Sequence, residues 1–140
     1  MEKKQFLSIS RNFFRENGCQ IIKGSRFIHQ MATFDVEFQM MHSNFGEYYY
    51  LQYYFYLHGA NSCYPTTWAC SSSRIKVMDT WEIYYLEIDP NDFLAKLEKA
   101  YSDTIKPVFE LGEPYIVELW KNKKVTFIGD APNYLQSIDK

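Results

Sequence analysis

At 140 residues, with a formal net charge of −2 and a pI near 5.9, the chain is the size of one domain and offers no electrostatic reason to bind nucleic acid. Hydrophobic residues make up 46% and charged residues 23%, a balance that argues against extended disorder. No apolar run reaches the roughly 20 residues of a membrane-spanning helix. No hydrophobic leader follows the charged start Met1-Glu2-Lys3-Lys4.

The expectation is a cytoplasmic protein without membrane association, organised as a single domain over residues 1–140. The three cysteines, Cys19, Cys63 and Cys70, are too sparse and too odd in number to read as a disulfide framework.

In chain order, residues 3–17 read as a helix. Phe6, Ile9 and Phe13, with Leu7 and Phe14, form a broad apolar stripe, and Gly18 stands where a left-handed helix terminator belongs. Two short extended pieces follow, residues 20–22 and 26–29, separated by Lys23-Gly24-Ser25. Residues 33–40 alternate without a break: Phe34, Val36, Phe38 and Met40 against Asp35, Glu37 and Gln39. That period of two predicts a strand with one buried face. Ser43-Asn44-Phe45-Gly46 suits a hairpin loop.

The next strand is the most aromatic part of the chain, with rings at Tyr48, Tyr49, Tyr50, Tyr53, Tyr54, Phe55 and Tyr56. Placing Met41 opposite Tyr48 sets Phe38 against Leu51, Val36 against Tyr53 and Phe34 against Phe55. A one-residue slip would pair apolar with polar. Tyr49, Leu51, Tyr53, Phe55 and Leu57 then belong to the core. Tyr48, Tyr50, Gln52, Tyr54, Tyr56 and His58 line a second face beside Asp35 and Glu37, either open or covered by a helix or by residues 60–73, the one candidate for a mobile loop.

Residues 81–88 read as a further strand. Asp89-Pro90-Asn91-Asp92 is a helix start, with Asp89 as N-cap and Pro90 in the first turn. The stripe of Phe93, Leu94, Leu97, Ala100, Tyr101 and Ile105 continues that helix towards Pro107 and Gly112. Beyond it residues 114–120 read as a short helix or as one arm of a hairpin, the helix being preferred, followed by a strand over 125–128 and a helical turn over 132–137. The fold class is α+β, an antiparallel sheet with helices packed mainly on one face.

Four places carry a family resemblance. Gly18-Cys19 closes the first helix ahead of Lys23-Gly24-Ser25-Arg26-Phe27. A strand ends in Phe38-Gln39. Cys70 and Arg74 lie close together in Trp68-Ala69-Cys70-Ser71-Ser72-Ser73-Arg74-Ile75. Asp79-Thr80-Trp81-Glu82-Ile83 precedes the Asp89-capped helix. Over roughly residues 5–110 the chain resembles the bacterial domain of unknown function (DUF) 4304 family. It departs from that family at Tyr54-Phe55-Tyr56-Leu57-His58-Gly59, where the family tends to carry an asparagine and a glycine. The resemblance implies an α+β fold and no established activity.

Chemical motifs are sparse. His58, Cys63 and Cys70, with His42 as a fourth ligand, lack the close C-x2-C or H-x3-H pair of a zinc site. Cys63 or Cys70 with His58 and Asp35 has the residue types of a thiol–imidazole–carboxylate arrangement. Packing of the cysteines is the competing reading. Asp35 and Glu37, about 7 Å apart on one strand face, have the types of a glycosidase pair and equally those of a solvated strand face. No Gly-rich phosphate loop is present. No cofactor and no metal are expected.

The tyrosine face is the richest contact surface, because tyrosine combines area with a polar tip and little entropy to lose. The leading expectation is a non-enzymatic protein-interaction module, adaptor or immunity-like, with a protein partner. Self-association into a homodimer is a further expectation. The alternative is a small-ligand binder or enzyme with a pocket around His58, Cys70 and Arg74.

Overall fold

The structure is a computed structural model of the chain, and it describes residues 1–61 and 73–139. Five antiparallel strands lie in the order β1-β2-β3-β4-β5: Gln20–Lys23, Arg26–Gln30, Phe34–His42, Tyr49–Leu57 and Ser73–Ile75. The helices are α1 (Lys3–Glu16), α2 (Pro90–Thr104), α3 (Lys106–Leu111), α4 (Glu113–Lys121) and α5 (Ala131–Ile138). The class is α+β. Among the described residues, no helix is long and apolar enough to cross a membrane.

The core follows from two periodicities meeting. Helix α1 buries Phe6, Phe13 and Phe14. On the sheet, Phe27, the residues Phe34, Val36, Phe38 and Met40 of β3 and the odd residues of β4 are buried. Phe14 stacks on Phe27 at 4.9 Å and on Phe38 at 4.7 Å between ring centroids. Phe93, Leu97, Ile116 and Leu135 add the buried faces of α2, α4 and α5 to the same cluster. Each fully buried ring or aliphatic chain contributes roughly 1.5–3 kcal/mol.

Local chemistry sets the boundaries. Gly18 ends α1 at φ +91, and a Cβ there would lie 2.8 Å from His29 Cε1, so side-chain-bearing residues are excluded twice over. Asp89 caps α2 by accepting from the Asn91 N–H at 2.9 Å and the Asp92 N–H at 3.4 Å. Pro107 lies within α3 rather than beyond a single long helix, and Gly112, at φ +71, separates α3 from α4.

Three expectations need correction. The hairpin register differs by two residues: Met40 faces Leu51, Phe38 faces Tyr53, Val36 faces Phe55 and Phe34 faces Leu57. The ladder runs further into the hairpin, where the Ser43 N–H donates to Tyr48 O at 2.9 Å and Ser43 Oγ accepts from the Phe45 N–H at 3.0 Å. A shift of two leaves every side chain on its own face, so the division into core and second face is unaltered.

Residues 81–88 are not a strand. Ile83 alone exchanges both backbone bonds with Tyr49, at 2.8 and 3.1 Å, before a short 3-10 turn at Tyr85–Glu87. Strand β5 holds the neighbouring length of β4, opposite Leu51–Tyr53, and the Met1 nitrogen takes the carbonyls of Tyr85 and Ile88 at 2.8 and 3.1 Å. Residues 125–128 do alternate, with Val125 and Phe127 buried and Ile128 exposed, but beyond a single β-bridge position at Phe127 they form no strand among the described residues. Gly129, at φ +67, turns the chain immediately afterwards.

Candidate functional site

The second face of β3 and β4 divides into two parts of different character. At the end near Leu57 it is closed. Glu37 is 2% exposed and receives a two-pronged bond from Arg26, Nε to Oε2 at 2.8 Å and Nη2 to Oε1 at 2.9 Å. Arg26 reaches it diagonally across the β2–β3 pair, since its own Cα partner is Gln39. The bond to Glu37 raises the Arg26 pKa.

The Tyr56 hydroxyl donates to Glu37 Oε1 at 3.1 Å, and burial followed by the Glu37 charge holds that phenol well above its ordinary value. The Tyr54 hydroxyl is placed against the side-chain oxygens of Gln52 and Gln39. Each buried polar group thus has a partner, as a desolvated site demands.

His58 and Asp35 end this row. Nε2 of His58 lies 3.0 Å from Asp35 Oδ1, and Nδ1 lies 3.3 Å from Ala32 O. Both ring nitrogens face acceptors, and which of them carries the proton is set by the tautomer.

Asp35 and Glu37 share a face, but each carboxylate is buried and engaged by its own cation or imidazole. Neither stands as a free acid opposite a substrate cleft, as glycosidase chemistry would require.

The other end of the face is open. Tyr48 and Tyr50 are half-buried, Tyr84 and Trp81 are 43% and 48% exposed, and Phe45 at the hairpin tip is 92% exposed. The rings form a chain: Tyr50 meets Tyr48 edge-on at 5.6 Å, and Tyr48 meets Tyr84 at 5.2 Å.

Arg74, brought opposite Gln52 by the β4–β5 pairing, lays its guanidinium 3.9 Å from the Tyr50 ring centre. Lys76 Nζ lies 5.8 Å from the Trp81 ring. A shallow depression of about 430 Å³ is lined by Gln52, Ser73, Arg74 and Trp81. Contact with Tyr48 raises the Tyr50 pKa.

The structure therefore brings together Asp35 with His58, Glu37 with Tyr56, Gln52 with Tyr54, and Tyr48 and Tyr50 with Arg74. It does not bring His58 to Arg74. Six residue steps along β4 and just past its end separate His58 from Gln52, the partner of Arg74, and at strand rise that is about 20 Å. His42, opposite Tyr49, stands about 30 Å from His58 by the same rise, so the two do not share a metal.

Cys63, Cys70 and most of residues 60–73 lie outside the described residues. Among those described, no group of three or more His, Cys, Asp and Glu side chains is placed to hold a metal ion.

Sequence reasoning missed Phe45, Trp81 and Tyr84 as site residues. Trp81 and Tyr84 were hidden inside an assumed strand, where alternation assigns faces by parity. Tyr84 is exposed as that parity expects, whereas Trp81, of the same parity as the buried Ile83 and Tyr85, is exposed against it, two residues before the single bridge at Ile83. Comparison with protein-family models, with curated proteins and with solved structures finds no match in any of the three.

Proposed function

We propose that the protein is a non-enzymatic protein-interaction module, adaptor or immunity-like, related to the DUF 4304 family whose motifs it resembles. Its contact surface is the open end of the second sheet face. The observation that supports this is the continuous run of partly exposed rings, Tyr50–Tyr48–Tyr84, with Trp81 and a cation seated on Tyr50. Exposed tyrosine, tryptophan and arginine are the residue types that carry most interface energy.

The closed end serves as a scaffold in this reading: its polar network fixes the strands that present the rings. The enzyme alternative loses support from the separation of His58 and Arg74. As for self-association, the outer strand β1 is short, irregular between Ile21 and Lys23 and lysine-ended, features that oppose edge-to-edge pairing. A homodimer would use the ring surface instead.

The test is affinity capture with the wild-type chain, followed by titration of each purified partner against the variant Y50A/R74A/W81A. The expected result is a loss of affinity of roughly tenfold or more, as for truncated interface anchors. Partners that bind the triple variant as tightly as wild type would refute the assignment.

A further inference from the structure

A second concave surface begins where the ring chain ends. It is a groove of about 290 Å³ between the segment that leaves the sheet after β5 and the start of α2. Its apolar lining is Met78, Tyr84 and Ile88, and around these stand the carboxylates of Asp79, Glu82, Glu87 and Asp92. Lys96 is the one cation on its wall among the described residues.

None of the four carboxylates is in an ion pair among the described residues, unlike Asp35, Glu37, Glu47, Asp103 and Asp139. Asp89, beside the groove, is already spent on capping α2. Glu82 and Glu87 both raise the pKa of Tyr84, after burial as the larger cause, which places both charges around that one phenol.

An apolar floor ringed by four unpaired carboxylates and one ammonium is complementary to a segment that is apolar and positively charged at once. A neutral peptide would leave the charges unmatched, and an acidic one would be repelled.

We propose that this groove docks a basic amphipathic segment of a partner protein, its apolar side chains on Met78, Ile88 and Tyr84 and its lysines or arginines on the surrounding carboxylates. This rests on the reading of the protein as an interaction module and names the chemistry of the partner.

The experiment titrates the full chain with three labelled synthetic peptides of equal length: alternating lysine and leucine, alternating glutamate and leucine, and oligolysine. The lysine–leucine peptide is expected to bind best, and its binding to fall with added salt as the exposed charges are screened. E82Q/E87Q, which preserves shape, should weaken it about tenfold, two exposed ion pairs at roughly 0.7 kcal/mol each. M78S should weaken it without changing the salt dependence.

Equal binding of the glutamate peptide, equal binding of oligolysine, or an unchanged affinity in folded E82Q/E87Q would each overturn the proposal. Y50A/R74A separates the two surfaces. If it abolishes lysine–leucine binding while E82Q/E87Q does not, the groove is refuted and the ring surface stands. If captured partners ignore Y50A/R74A/W81A while the peptide still needs Glu82 and Glu87, the ring surface is refuted and the groove stands.

Discussion

Glu37 and Arg26 show how much a single pair decides. The carboxylate is 2% exposed, whereas the Arg26 side chain is 30% exposed. Removing one partner of a buried pair costs more than the pair itself contributes, because the other charge is stranded. The two deletions are therefore unequal. Arg26→Ala leaves a desolvated carboxylate with only the Tyr56 hydroxyl and is expected to cost about 3–5 kcal/mol. Glu37→Gln keeps the shape and leaves an arginine able to turn to water, and is expected to cost about 1–3 kcal/mol. Urea denaturation of both variants checks the order; equal losses would mean that the pair is not the anchor of this face. Arg26 is visible in the sequence as a charged residue, without a place on either face. Its partner is not, because the diagonal reach across β2 and β3 depends on register.

At the scale of elements, capping and alternation were legible where the responsible contacts are local. The start of α2 is an example: Asp89, Pro90 and Asp92 act within one turn, and the side chain of Asp89 bonds the backbone of its own helix. Asp89→Ala is expected to cost about 1 kcal/mol, the usual loss for an N-cap, seen as a lowered thermal midpoint with the fold unchanged. The same substitution at Asp92, which donates no cap, should have a smaller effect. Residues 81–88 were misread for the opposite reason. Their alternation is genuine, since Ile83 and Tyr85 are buried and Tyr84 and Leu86 exposed. Whether an alternating segment joins a sheet depends on whether an edge is available to it, and β5 already pairs with β4.

For the molecule as a whole, the distribution of buried acidic protons sets its response to alkali. Burial holds the Cys19 thiol at about 12 instead of 9.0. Tyr85 is held at about 12 by its bond to Glu47, Tyr101 at about 12 by burial, and Tyr134 at about 12 by burial and its bond to Glu113, all from 10.0. In each case the folded state holds the proton more tightly than the unfolded chain does. The stabilisation is complete below the unfolded value and is lost as pH rises through the folded one. The urea midpoint is expected to hold up to about pH 9 and to fall steeply between about 10 and 12, with tyrosinate absorbance rising in step with unfolding. Tyrosines that all ionise near pH 10 in the folded protein, before any unfolding, would contradict this packing.

The sequence by itself determined the α+β class, the first helix and its glycine stop, the capped helix at Asp89, and which residues of the central hairpin face the core. These are consequences of period and of contacts a few residues apart, and they need no knowledge of the rest of the chain. The exact register was beyond it, because a pattern of period two is blind to a slip of two. So was the division of the tyrosine row into a closed network at Tyr56 and an open end at Tyr50. Only the tertiary structure decided these, because each depends on what another part of the chain brings alongside: Arg26 of β2 beside Glu37 of β3, β5 beside β4, and Tyr84 against Tyr48.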